Sequence, residues 1–425
     1  MAPALASSAS QISHFSPAEL SYLHTSLSYP NNPIRPDGRS ATQFRPLTAE
    51  TDILPNTNGS ARIGFADGTQ AIVGVKAEIE KTVNTGILGE RDGEGIGEGE
   101  GGGMEDEEDT GGEGGRRQRG AGGRGAGQSS WVEMSIEIPG LRDDDALPVF
   151  LAEMMREALV GSGSGSKEDK YGMPEGLKGR LVINQGWHWR IYVDVSRSAT
   201  DLREAFACFD SYFMRILLLS PPLSYPLPLL SLTTHLALLS TKLPKLISKD
   251  EEDPMFDDDW ALAEYLYPRT VPNPAISLRQ PFRPPITLLV IAVGENIIFD
   301  PSREEIAVAD AVFCVSIGRD EQISKDKQDQ DASNLKLLAI RTIDPPSRLT
   351  NSGLSNSENA VNIGVSAGDD SVEQQPVTSE SVQGVWKPRQ GGVKRGLISK
   401  IVKLVLQRGG VGDEVMQGLE GVEVG

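Results

Sequence analysis

The alternation of apolar and polar positions divides this chain into strand-forming and helix-forming stretches. From Val73 to Ile79 the odd positions Val73, Val75, Ala77 and Ile79 are apolar, while Gly74, Lys76, Glu78 and Glu80 are small or charged. Side chains alternate across a strand, so the pattern predicts a strand with one buried face. Ala61, Ile63 and Phe65 repeat it upstream. Asp67-Gly68 between the two runs predicts a two-residue hairpin turn, and Asn58-Gly59 a second turn before the first run. Val132, Met134, Ile136 and Ile138 form a third strand pattern. Trp187, Trp189, Ile191, Val193 and Val195 form a fourth, with His188, Arg190, Tyr192 and Asp194 on its polar side.

Helical spacing appears in three places. Ser16-Pro17-Ala18-Glu19 has the makings of a capping box, and Leu20, Leu23 and Leu27 follow on one face. Leu151, Met154, Met155, Ala158 and Leu159 give the inner side of a helix over Leu147–Val160. Leu397, Ile401, Leu404 and Val405 give another that ends near Gly409. Ile286–Val293 and Asn296–Phe299 read as a hairpin around Gly294-Glu295. A helical turn at Ser302–Glu305 follows, then strands at Ala311–Ile317 and Leu335–Thr342.

The run Ile216–Leu239 has the hydropathy of a membrane span but contains Pro221, Pro222, Pro226 and Pro228. Prolines break a helix interior, so the prediction is a buried strand end, a loop and a buried helix over Leu229–Leu239. Strands grouped before helices in each half predict an α+β fold in two domains. The expected divisions are a helical segment at 1–30, a first domain at 31–267, a proline-rich linker at 268–285, a second domain at 286–410 and a tail at 411–425. Low-complexity inserts, expected to be disordered, fall at 86–128 and 347–387.

The chain has 425 residues and a formal net charge of −19, which taken globally argues against a free-standing nucleic-acid binder. The 86–128 insert supplies much of that charge through EGIGEGEGGGMEDEED. Its second part, RRQRGAGGR, carries Arg116, Arg117, Arg119 and Arg124. Such an Arg/Gly segment is either a charge-balancing linker or an RNA contact made through charge and stacking. Two cysteines, Cys208 and Cys314, make no disulfide framework and fit a reducing compartment, nucleus or cytosol. The Ala/Ser-rich start has no secretory pattern.

Other candidate chemistry fades on inspection. Gly95–Gly99 is interleaved with glutamates that repel a pyrophosphate. In Gly161–Ser166 the phosphate-loop ending is missing, since Lys167 precedes Glu168. Asp257, Asp258 and Asp259 diverge as neighbours and lack a further ligand at metal spacing, so an exposed acidic loop is expected. His188 is expected to be structural or solvent-facing. Lys394, Arg395, Lys400, Lys403 and Arg408 give the last helix a basic face.

The Arg35-Pro36-Asp37-Gly38-Arg39 start, the Gly59-Ser60-Ala61 entry and the Gly68-Thr69…Val73-Gly74-Val75-Lys76-Ala77-Glu78 strand resemble RNase PH-like proteins. The resemblance covers most of the chain outside its inserts. It implies the RNase PH fold with two βαβ-containing halves, and a place in a hetero-hexameric exosome ring of related subunits around an RNA channel. It further implies RNA processing and decay, ribosomal RNA included, in nucleus, nucleolus and cytoplasm; from the residues themselves no membrane, cofactor or metal is expected. Active members of the family use an Asp-Gly-Gly…Asp motif and a Ser-Arg phosphate motif. Here Pro221-Pro222-Leu223 stands at the first place, and Leu227 and Pro228 at the second aspartate. Asp194 lies upstream, and Ser196-Arg197 falls in an intervening stretch, Ser196–Arg215, that reads as an insertion or a retained intron. The expectation is a ring subunit without catalysis; the alternatives are an active phosphorolytic exoribonuclease and an unrelated acidic scaffold. Arg142, in the loop after the third strand pattern, is the further expected RNA contact.

Overall fold

The computed structural model describes residues 15–82, 128–161, 176–194, 216–218, 225–248, 253–267, 283–319, 334–343, 386 and 393–423, apart from positions 31, 143 and 185. The insert expected at 86–128, apart from Gln128, and the stretch 196–215 lie outside the described residues.

Helix α1 (Pro17–Leu27) carries the expected capping box: Glu19 N–H donates to the Ser16 hydroxyl and the Ser16 N–H donates to the Glu19 carboxylate. Strands β1 (Leu47–Thr51), β2 (Gly59–Phe65) and β3 (Gln70–Lys81) form an antiparallel meander. The β2–β3 connection has three residues, not two. Gly68 N–H donates to the Phe65 carbonyl and Phe65 N–H to the Thr69 carbonyl, with Gly68 alone left-handed at φ 87°. That is a type I turn closed by a glycine bulge, the next commonest hairpin. Asn58-Gly59 is not a turn either. The chain reverses at Pro55-Asn56, where Asn56 takes φ 61°. Gly59 already lies in β2, where a Cβ would come within 2.6 Å of the Thr241 backbone.

A 3₁₀ turn (Ser129–Trp131) leads into β4 (Val132–Met134) and β5 (Ile136–Glu137), the expected third strand broken at Ser135. Helix α2 (Ala146–Gly161) and the short α3 (Gly176–Arg180) precede β6 (Trp187–Asp194), and β7 (Ile216–Leu218) follows. β4 and β6 are parallel neighbours, so β4–α2–β6 is a βαβ unit. β6 pairs with β3 antiparallel up to Asp194 opposite Gly74. β7 resumes on the same strand with Leu217 opposite Ile72. Two steps along β3 therefore consume 23 residues of sequence instead of 2. The opposite rail agrees: Met134 pairs with Val193 and Ile136 with Ile216, again 23 for 2. β7 takes up the ladder where β6 leaves it, with an excess of 21 residues between.

Helix α4 (Leu227–Ser240) is buried along its whole length. Pro226 and Pro228 are tolerated because they sit at its start, where backbone N–H groups have no partner within the helix. α4 packs on β2 and β3 with one side and on the second sheet with another. Each of its buried leucines gains roughly 2 kcal/mol by leaving water. Three of its hydroxyls are hydrogen-bonded: Thr233 donates to the Leu229 carbonyl, Ser231 accepts from Thr287 N–H and Ser240 accepts from Ser60 N–H. The burial by α4 explains why β2 and the first half of β3 are covered on both faces, against the one-faced pattern expected.

A two-stranded ribbon, β8 (Lys242–Leu243) and β9 (Glu264–Tyr265), follows α4. The second sheet comprises β10 (Ile286–Val293), β11 (Asn296–Phe299), β12 (Ala311–Arg319) and β13 (Leu335–Ile343), in the order β11-β10-β12-β13. Helix α5 (Arg303–Ala307), with a capping box from Ser302 and Glu305, connects β11 to β12. Since β10 lies antiparallel between those two strands, the unit is a split βαβ. Helix α6 (Arg395–Leu406) ends as expected, with Gly409 at φ 66°. The expected tail is instead a helix, α7 (Val411–Glu420), that buries Val411, Met416 and Leu419. Gly412 permits its close approach, since a Cβ there would meet the Val405 carbonyl at 2.6 Å. Two further expectations are corrected. Trp386, inside the insert expected at 347–387, is buried beside His24, its N–H donated to the Ser21 hydroxyl. Arg283, Pro284 and Pro285, at the end of the expected linker, are also buried. The result is α+β, with one hydrophobic core continuous across both sheets.

Candidate functional site

The Arg35–Arg39 motif on which the resemblance turned is a structural joint. Arg35 is fully buried and grips the equally buried Glu305 with two parallel bonds, Nε–Oε1 at 2.7 Å and Nη2–Oε2 at 2.8 Å. Its remaining donors reach the carbonyls of Ser40, Phe299 and Asp300. Asp300, held at φ 47°, accepts from Arg39 at 2.8 Å and from Arg45 at 2.7 Å. Burial pushes the Asp300 carboxyl up, but the Arg45 hydrogen bonds and charge, with Arg39, outweigh it and hold it below the usual carboxylate range. These cations are spoken for and face no substrate. Asp300 and Glu305 were missed in the sequence because each carboxylate sits more than 250 residues from its arginines.

The charges on the polar side of β3 and β6 are also paired with one another. Arg190 spans Glu80 at 3.1 Å and Glu133 at 2.9 Å, and Lys76 pairs with Glu78 at 2.9 Å. His188, expected on that polar side, is buried and stacked on Trp131 with ring centres 4.1 Å apart. Thr82 Oγ1 lies 3.0 Å from its Nδ1. Burial lowers its pKa further than Glu80 raises it, so the ring is a neutral packing element. It is structural, as expected, though not exposed.

The catalytic position implied by the resemblance lies between the end of β6 and the start of α4. Asp194 ends β6, and Leu227 and Pro228 occupy the first turn of α4, both buried. Neither can bind a metal or carry a proton. Among the described residues no group of three or more histidine, cysteine or acidic side chains is arranged to hold a metal ion. Asp257 and Asp259 serve locally: Asp257 accepts from Asp259 N–H, and Asp259 caps a 3₁₀ turn at Trp260–Leu262. Asp258 is exposed.

Of the expected RNA contacts, Arg116, Arg117, Arg119 and Arg124 lie outside the described residues. Arg142 is described and protrudes with 82% of its side chain exposed, 3.3 Å from Asp144, at the approach to α2. Its N–H donates to the Asp145 carboxylate, which fixes the backbone and leaves the guanidinium reaching outward. The structure does not bring Arg142 into a cluster with other cations among the described residues. The basic face of α6 is present, with Lys400 61% exposed and 3.6 Å from Glu295. No described helix is long and apolar enough to cross a membrane.

No protein-family model matches the chain. Among curated proteins it is 28% identical over 304 residues to the exosome complex component RRP42 of Saccharomyces cerevisiae, covering 70% of this chain and 80% of that one. It is 26% identical over 312 residues to the exosome complex component rrp42 of Schizosaccharomyces pombe, covering 70% and 77%. Among solved structures it is similar to the Archaeoglobus fulgidus exosome with RNA bound to the active site, with TM-score 0.39, 17% identity and coverage of 77% and 87%. It is also similar to an archaeal exosome core, with TM-score 0.38, 18% identity and coverage of 76% and 84%. The chain is thus similar to exosome components named Rrp42 over 70% of its own length and more than three quarters of theirs.

Proposed function

We propose that this chain is a non-catalytic subunit of the RNA exosome ring, supporting 3′-to-5′ processing and degradation of RNA, maturation of ribosomal RNA included. The observation that carries this reading is the similarity to two exosome components across more than three quarters of their length. The reading places the chain in the nucleus, nucleolus and cytoplasm, beside other RNase PH-like subunits, with RNA met through the assembled ring. The division at 268–285 into two domains belongs to the same reading, and the two separate sheets support it. Arg142 and the Arg116–Arg124 segment are its RNA contacts, made to phosphates and hence without sequence preference.

Absence of catalysis follows from chemistry. Phosphorolysis needs groups that stabilise charge on phosphate and leaving oxygen, and loss of one commonly costs on the order of a thousandfold in rate. Leu227 and Pro228, buried at the start of α4, offer none. Two measurements test the proposal. A tagged chain should co-purify with related ring subunits in defined stoichiometry; a monodisperse monomer without affinity for them would refute the assignment. The purified chain, given phosphate and magnesium, should release no nucleoside diphosphates from RNA. Release that Asp194→Asn abolishes would promote the enzyme reading.

A further inference from the structure

We propose that the ribbon after α4, described at residues 242–248 and 253–265, is a docking arm for a protein surface that is apolar at its centre and ringed by lysine or arginine. Of the twelve most exposed large apolar side chains among the described residues, five lie between Leu246 and Leu262. Singly exposed apolar residues are ordinary, but a group of this kind marks an interaction surface. Ile247 and Met255 are neighbours across the ribbon, joined by the Ile247 N–H to the Met255 carbonyl, and are 56% and 67% exposed. Trp260 follows at 50%.

The arm is held firmly from beneath. Phe256 packs on Trp189 at 5.0 Å, and the Trp187 indole donates to the Asp253 carboxylate. Asp257 N–H donates to the Lys245 carbonyl, and Asp259 fixes the turn that carries Trp260. The apolar group is therefore displayed by a pinned backbone, which lowers the ordering cost of binding. Tryptophan and methionine are also enriched where protein interfaces concentrate their affinity.

Charge selects the occupant. Residues 253–259 read DPMFDDD, four acids and no base. A phosphate backbone is repelled there, so the arm is not an RNA surface. A symmetric pair of chains would set two acidic arms against each other. A different protein with basic residues around an apolar patch satisfies both terms, with electrostatics steering the encounter. This deepens the ring-subunit reading, on which it rests only for the identity of the first probe.

The test uses the full chain with two probes: its related ring subunits, and an amphipathic Leu/Lys peptide that does not depend on the ring reading. Met255→Ser, Trp260→Ala and Asp258→Lys alter exposed side chains and should leave the melting temperature unchanged. Each should weaken binding to one ring subunit and to the peptide by roughly tenfold or more. Asp258→Lys should also flatten the salt dependence. Subunit binding that ignores all three variants overturns the arm and leaves the ring reading standing. Arm-dependent binding of the peptide, with no affinity of the wild type for ring subunits, overturns the ring reading and sustains the arm. Arm-dependent association with RNA or with a second copy overturns the proposal, as does indifference of the wild type to both probes.

Discussion

Arg35→Met tests the joint between the N-terminal motif and the second sheet. The substitution keeps an apolar stem of similar length but removes the guanidinium, leaving Glu305 with no cation in a site that is 0% exposed. Breaking a buried pair by removing one partner costs about 3–5 kcal/mol, because the remaining charge is neither solvated nor matched. The carbonyls of Phe299 and Asp300 lose donors at the same time, which places the expected loss toward the upper end of that range. Against a typical total stability of about 5–15 kcal/mol, the loss corresponds to a fall of about 10 °C in Tm. Arg35→Lys should fall between, since one ammonium cannot span two carboxylate oxygens and three carbonyls. The double variant Arg35→Met, Glu305→Leu should recover much of the loss, because it leaves no charge behind. Urea and thermal unfolding of the wild type, the single variants Arg35→Met and Glu305→Leu, and the double variant form a double-mutant cycle. A loss under about 1 kcal/mol for Arg35→Met, or strict additivity in the cycle, would refute the account of the joint.

Three further outcomes are expected. Deleting residues 195–215, the 21-residue excess that both rails show, should leave β7 continuing β6 in register; the variant should be soluble and melt no lower than the parent, and aggregation would show that the segment is needed. His235 is buried in α4, near the Pro284 and Pro285 carbonyls but with neither ring nitrogen in hydrogen-bonding geometry, and burial pushes its pKa down to about 3. The unfolded chain binds that proton near pH 6.5 and the folded chain refuses it, so the stability from the neutral ring is full above that pH and falls toward about pH 3; His235→Phe should flatten a loss of about 2 kcal/mol between pH 7 and pH 5, read by urea unfolding. Deleting 86–127 should leave Tm unchanged while lowering the salt slope of RNA binding by the assembled complex, and an unchanged slope would assign Arg116–Arg124 to a linker role.

Local periodicity made most elements legible. The Ser16–Glu19 and Ser302–Glu305 capping signatures, the Gly294-Glu295 hairpin and the α6 stripe all rest on neighbours within a few residues, and all formed as read. The misses share a different cause. Gly59 looked like a turn because its tertiary reason, contact with Thr241, is 182 residues away. Trp386 looked like part of a polar insert because its partners are on α1. α7 has only a few apolar residues and two glycines among them, and it is a helix because α6 and the second sheet supply its other half. His188 alternated correctly with the polar residues of β6, yet Trp131 covers it from the 3₁₀ turn before β4. For the site, Leu227 and Pro228 were legible at the place the resemblance indicated, but the ribbon pinned on Trp187 and Trp189 was not, because its meaning depends on which apolar side chains remain uncovered.

The joint at Arg35 also constrains the order in which the molecule can be completed. Arg35 emerges from the ribosome 270 residues before Glu305, and Arg45 precedes Asp300 by 255. At a synthesis rate of about 5–20 residues per second, those cations wait for roughly tens of seconds without the carboxylates of Asp300 and Glu305, while β1, β2 and β3 can already pair. Contacts of such separation form late, because the entropy of closing the intervening chain must be met first. The second sheet is therefore the step that locks the first. A nascent chain stalled before Asp300 presents three arginines and an uncovered α4 surface, a state that chaperones and proteases can distinguish from the finished protein.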